Sequence, residues 1–365
     1  MRLKLPRTFP LLHPPPHAGE ERGGGLGPRS AQCLYFFLCG TGTVLVASLI
    51  VWLFLSKAVW AADKLRIGYS GATVSNAMLW VTEEGKLFQK NGIDPEVLYL
   101  QTTLGQTAMI AGEIEMCVYS ASLLAPARLQ GADVVMVTSF LNKPIYRLVV
   151  RPEIRTVADL KGKRLGITRF GTVTDWTTRL LVSRLGLDPE KDVSLVQVGD
   201  VPVLLTALSA AKTIDGAIIQ PPYYLKAVAS GMHVLANMQE MDIPFQQTGL
   251  NTTQKFIARS PDVVRRAVKS IIDGIHLMRV NSAIAKRAIA KRMQIKDEKE
   301  LEDSYQLLRS FIQVKPYPSL DGFKTIFAEL GKRVPAAKNA DAKDYIDTRF
   351  IEELDRSGYI DALYK

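Results

Sequence analysis

Cysteine and histidine are scarce in this chain, three and four residues out of 365. Cys33, Cys39 and Cys117 show no metal-ligand spacing and no ligand cluster accompanies them, so the sequence encodes no metal centre. Cys117 lies inside the apolar run EIEMCVYSAS and reads as a buried small hydrophobe more readily than as a nucleophile; a lone thiol also suits an exported protein. His13 and His17 fall in a Pro/Gly-rich head, and His233 and His276 in a strand and a helix. No serine sits in a glycine elbow, so hydrolase chemistry lacks its parts. Long blocks of one charge are missing too. Residues 1–62 carry six Lys/Arg against two Asp/Glu, which leaves +6 of the net +10 spread over the rest. Nucleic-acid binding needs a concentrated basic stripe with interleaved aromatics, and none is present.

What is present is apolar enough to fold. With 47% hydrophobic residues, the chain can bury a core in each of two lobes. Residues 1–33, rich in Pro, Gly and Arg, show no periodicity and are expected to be a disordered head or an over-extended translation start. Residues 34–56 then carry no charge over 23 positions, enough to cross a bilayer. Val59 and Ala61 follow as the small residues before a cleavage site at Ala62. Segment 34–62 is therefore expected to be a signal peptide or a membrane anchor. The remainder is expected in the periplasm or on the outer face of the cytoplasmic membrane.

From Lys64, short apolar strands alternate with helices, the signature of βαβ units and parallel sheets. LRIGYS, PEVLYLQ, MCVYSA, VVMVTSF, YRLVVRP, VSLVQV, DGAIIQ and HVLANM read as strands. Thr156 is expected to cap a helical turn in TVADLKGKRLGI. After Pro244 the character changes. TTQKFIARS reads as a strand returning to the first lobe, and Ser260-Pro261 open a long helix with Val264, Val268, Ile271, Ile275 and Met278 on one face. Arg265, Arg266 and Lys269 fall on its outer face, as a solvated surface or a partner-binding one.

The most informative stretch is LGITRFGTVTDWTTRLLV, residues 165–182, where an apolar strand runs through a glycine-threonine turn into a helix. Gly171 can take the turn conformation, Thr172 can cap the helix, and the helix start offers amides to an anionic ligand. The plain alternative is an ordinary strand-to-helix connection.

AMLWVTEEGKLFQKNGID, AGEIEMCVYSAS, ADLKGKRLGI and TIDGAIIQPPYYLKA, in this order and spacing, resemble the substrate-binding proteins of ABC importers. The family in question binds sulfonates, taurine, nitrate and thiamine-pyrimidine precursors, and the resemblance covers roughly residues 65–278. It implies an α/β, two-lobed periplasmic-binding-protein type II fold with a cleft between the lobes and a helical C-terminal segment. The lobes are expected as residues 63–152 for the first part of lobe I, 153–243 for lobe II, and 244–365 for the second part of lobe I with the C-terminal helices. The resemblance further implies a monomer that holds a small-molecule ligand by hinge closure and delivers it to an ABC permease, with no cofactor.

In open α/β sheets ligands sit beyond the carboxyl ends of strands. That rule selects Ser70, Gly71, Ala72 and Asn76 after the first strand, and Ser120, Ala121 and Ser122 after the third. It also selects Thr138 and Ser139 near the hinge, Arg169, Phe170, Gly171, Thr172 and Thr174, and then Gln220, Pro222 and Tyr223. Competing structural roles exist: Ser120 and Ser122 could cap a helix, and the prolines could only end a strand. Arg169 and Phe170 stand where many relatives have smaller polar residues. Arg169 could pair with a carboxylate or sulfonate, and Tyr223, Tyr69 and Trp176 could stack on a planar ligand, although Trp176 could equally be core. Two other function classes remain open: a thiamine-pyrimidine-synthase-like enzyme on the same scaffold, and a membrane-tethered sensor or partner-binding domain.

Overall fold

The computed structural model describes residues 62–365; the expected head and hydrophobic segment lie outside the described residues. Among the described residues ten strands form two five-stranded sheets. In the first, β1 (Asp63–Tyr69), β2 (Ile93–Tyr99), β3 (Met116–Tyr119), β4 (Val134–Leu141) and β10 (Thr248–Thr253) lie in the order β2-β1-β3-β10-β4. The second holds β5 (Arg147–Val150), β6 (Lys163–Ile167), β7 (Val193–Gln197), β8 (Gly216–Ile219) and β9 (His233–Asn237) in the order β7-β6-β8-β5-β9. In each sheet four strands run in one direction and one runs antiparallel to them, β10 in the first and β5 in the second. The expected α/β, two-lobed periplasmic-binding architecture is present, with a helical C-terminal segment.

The lobe boundary expected at residue 152 is corrected. β5 pairs with β8 and β9, so the chain crosses between Leu141 and Arg147 and returns between Asn237 and Thr248. YRLVVRP is apolar whichever sheet receives it, and only cross-strand pairing decides. A second correction concerns TTQKFIARS. The returning strand is TGLNTT, and Thr253 caps a helix, Gln254–Arg259, by accepting from the Phe256 amide at 3.1 Å. β10 is polar in sequence yet buried throughout, because Asn251 donates to the Cys117 and Tyr119 carbonyls, both at 3.1 Å.

Where the pattern was periodic the reading holds. Val264, Val268, Ile271, Ile275 and Met278, on helix Pro261–Val280, are all fully buried. They pack with Leu65, Ile67, Val118 and Val137 into the first lobe's core. The outer face of this helix is not simply solvated: Arg265 pairs with Glu353, Arg266 with Asp262 and Asp63, and Lys269 with Asp273. Thr156 does cap its turn, in a reciprocal capping box with Asp159.

The two lobes repeat one device. In lobe I the Arg66 amide and guanidinium bind Glu115, just before β3; in lobe II the same groups of Arg164 bind Asp215, just before β8. Burial pushes the Glu115 carboxyl up, but Arg66 outweighs it and holds the group below the glutamate range. Burial likewise raises Asp215, and Arg164 and Arg151 more than reverse it. A depressed carboxylate contributes its stability above the unfolded pKa and loses it as pH falls through the folded one, a window below about pH 4. The double variant Glu115→Gln/Asp215→Asn is therefore expected to be less stable than wild type at neutral pH, with the gap closing towards pH 3. Urea unfolding at both pH values measures this; a gap that does not change with pH would refute it.

Candidate functional site

The carboxyl ends of β1, β2, β6, β7 and β8 converge on one cleft of about 1080 Å³, its open mouth included. A smaller chamber of about 410 Å³ adjoins it; Ser70, Thr73, Thr102, Tyr146, Val173 and Gln220 line both. After β1 the chain turns at Gly71, whose φ of +76° favours glycine, and Asn76 Nδ2 donates to the Ser70 and Gly71 carbonyls at 2.6 and 2.8 Å. This pins the loop so that Ser70, Gly71, Ala72 and Thr73 line the cleft. Ser70 and Thr102 share a hydroxyl bond of 2.6 Å.

Lobe II supplies the opposite wall through Thr168, Arg169, Thr172 and Thr174 at the start of helix Val173–Arg184. Thr172 occupies the N-cap position, but its hydroxyl does not cap: it donates to the Arg169 carbonyl at 2.7 Å. The turn is instead closed by Asp175, which accepts from the Gly171 amide at 2.9 Å and from Arg179 Nε at 2.6 Å. This carboxylate answers much of the helix's positive end, which leaves less of it for an anion than the sequence implied.

Among the described residues, Arg169 and Asp200 are the charged ones lining the larger chamber, and no charged side chain lines the smaller one. Arg169 enters no ion pair among the described residues. Burial raises the Tyr99 hydroxyl pKa and Asp200 raises it further; burial also raises Tyr223. Both phenols stay protonated at neutral pH and act as donors. They use this across the lobes: Tyr99 Oη donates to Asp200 and Tyr223 Oη to the Ala72 carbonyl, each at 3.4 Å. A third interlobe bond, Ser75 Oγ to Gln220 Oε1, is 2.7 Å long.

Ten of the expected residues line these chambers: Ser70, Gly71, Ala72, Asn76 and Ser120 from lobe I, and Arg169, Thr172, Thr174, Gln220 and Tyr223 from lobe II. The others do not. Ala121 and Ser122 are fully buried, with Ser120 capping their helix by accepting from the Ser122 amide at 3.1 Å. Thr138 donates to the Pro316 carbonyl and Ser139 binds Asn142, because the C-terminal segment covers that end of β4. Phe170 is 52% exposed beside the cleft, the Gly171 amide is committed to Asp175, and Pro222 precedes helix Tyr223–Ala229 without lining the space. Trp176 belongs to the core with Arg333 over its ring, and Tyr69 stacks edge-on behind Tyr99 at 5.7 Å. Tyr99 at the end of β2, Gln101 and Thr102 after it, and Asp200, Val201 and Pro202 after β7 line the cleft and were missed. The strand-end rule would have found them had it been applied to those two strands.

Neither His233 nor His276 lines the cleft. Cys117 is 2% exposed and burial pushes its thiol up to about 12, so it supplies no thiolate nucleophile. Among the described residues no group of three His, Cys, Asp or Glu side chains is placed to hold a metal ion.

Comparison with known proteins agrees with this architecture. A protein of Brucella abortus (strain 2308), named as a candidate binding protein, is 24% identical over 265 residues, covering 71% of this chain and 81% of that protein. The alkanesulfonate-binding protein of Xanthomonas axonopodis pv. citri, solved with MOPS bound, superposes with a TM-score of 0.63 at 18% identity, over 78% of this chain and 98% of that one. The periplasmic aliphatic sulphonate binding protein of Escherichia coli superposes at 0.62 and 18%, over 78% and 97%. A desulfurization enzyme shares the fold as well, at 0.62 and 16%, over 81% and 99%. Residues 73–283, more than half of the chain, match the family described as NMT1/THI5 like, and the chain belongs to that family.

Proposed function

We propose that this chain is an exported solute-binding protein that captures a small organic ligand in the interlobe cleft and delivers it to an ABC importer. The ligand class is anionic or planar: a sulfonate, a carboxylate or a pyrimidine. The observation that carries the reading is Arg169, an arginine without an ion-pair partner among the described residues, in a cleft whose walls come from both lobes and already touch through Tyr99, Ser75 and Tyr223. The uncharged segment at 34–56 supports presentation outside the cytoplasmic membrane. Residues lining the chambers from Ser70, Ala72, Arg169, Thr174, Gln220 and Tyr223 are the proposed ligand contacts, and the protein acts as a monomer without a cofactor. Membership of a fold that also contains a desulfurization enzyme keeps turnover as the second reading, and the sealed Cys117 weighs against a thiol-based version of it.

The fragment from Asp63 is expected to melt several degrees higher with a bound compound of the right class, since ligand that binds only the folded state stabilises it by mass action. A melting-shift screen of sulfonates, aromatic carboxylates and pyrimidines tests this. Should no compound stabilise the fragment while a membrane protein partner does, transport gives way to partner binding.

A further inference from the structure

Ser75 stands where the hinge meets the cleft. Its surroundings form one directed chain of hydrogen bonds. The Ile145 amide, on the first crossing between the lobes, can only donate, and it donates to Gln247 Oε1 at 2.8 Å. Gln247 lies on the returning crossing, so its orientation is set by the hinge itself. With its carbonyl committed, Gln247 presents Nε2 to Ser75 Oγ at 2.9 Å. A serine hydroxyl has one proton; receiving a donor from Gln247, Ser75 directs that proton to Gln220 Oε1, 2.7 Å away on the other lobe. Ser75, Gln220 and Gln247 are all at least 96% buried, so water competes little for these bonds while the lobes are together.

We infer that Ser75 is a positioning residue that couples hinge geometry to cleft closure and to the polarity of the ligand site. The chain ends by fixing the Gln220 amide. With Oε1 held by Ser75, Gln220 offers the cleft its amino group and not its carbonyl, so the ligand atom meeting it is an acceptor. Closing the lobes and setting that donor are then the same event, because only the closed arrangement brings Ser75 to Gln220.

This inference rests on the closing-cleft reading proposed above, and its test uses the protein without ligand, so an error in ligand class does not affect it. Spin labels at Glu113→Cys in lobe I and Lys161→Cys in lobe II, both exposed, report the interlobe distance in the full chain held in detergent. Cys33 and Cys39 are changed to serine, and the buried Cys117 is left in place. Ser75→Ala is expected to lower the ratio of closed to open molecules by about two- to tenfold, the worth of one buried hydrogen bond. Gln220→Leu, at the chamber wall, gives the same loss even if Ser75→Ala folds poorly. The double variant loses no more than either single one, since both cut one bond. A wild type without a closed population, a single variant with a wild-type distance distribution, or losses that multiply in the double variant each overturn the assignment.

Discussion

Arg169→Ala is expected to weaken binding of an anionic ligand by about 10- to 150-fold, the range for losing a hydrogen bond to a charged group. The side chain leaves the end of β6 at the cleft wall and meets no carboxylate among the described residues, so the folded protein has not already used its charge. Its guanidinium can fork onto two oxygens, which lysine cannot do; Arg169→Lys should therefore recover only part of the loss. Tyr223→Phe removes one long bond to the Ala72 carbonyl and leaves the ring in place, so it should cost less than about threefold. Titration calorimetry at two salt concentrations, with the compound that gives the largest melting shift, distinguishes these. Equal affinity for wild type and Arg169→Ala with a sulfonate or carboxylate would remove the anion role, and Gln220 with the neutral hydroxyls would then carry recognition.

The largest expected effect on folding is at Gly249, in β10 between β3 and β4. A Cβ there would lie 2.5 Å from Met136 Sδ and 2.5 Å from the Thr138 carbonyl oxygen. The methionine can turn aside, but the carbonyl belongs to the paired strand, so the ladder must open. Gly249→Ala should cost about 3 kcal/mol or more, the upper end for overpacking. Gly166→Ala is the control: its Cβ would approach the flexible end of Ile214 at 2.4 Å, and a rotamer change relieves it at about 1 kcal/mol. Urea unfolding followed through Trp80 in lobe I and Trp176 in lobe II measures both. If Gly249→Ala shifts the midpoint no more than Gly166→Ala, the backbone of β4 yields more readily than its pairing with β10 implies.

How far the site was legible depended on what each residue answers to. Ser70, Arg169 and Gln220 follow directly from strands that end in apolar runs, and the rule that ligands sit beyond strand ends selects them by position along the chain alone. Ser122 and Gly171 obey the same rule and fail, since a neighbour in space or in the next turn, Ser120 or Asp175, takes their polar groups. Thr138 and Ser139 fail because a segment some 178 residues further on, at Pro316, covers them. β10 escaped the periodic pattern altogether. Its polar residues are tolerated inside the sheet only because other strands complete their hydrogen bonds.

Residue order by itself determined the alternation of strands and helices, the buried face of helix Pro261–Val280, the capped turn at Thr156 and the loops that could reach a ligand. These depend on periodicity and on partners within a few positions. Only the tertiary structure decided that β5 belongs to the second lobe, that the segment at Pro316 covers Thr138, and that Ser75 reaches Gln220 across 145 positions. The reason is physical. Sheet order and interlobe bonds are set by which distant groups can satisfy one another out of water, and no local pattern along the chain encodes that choice.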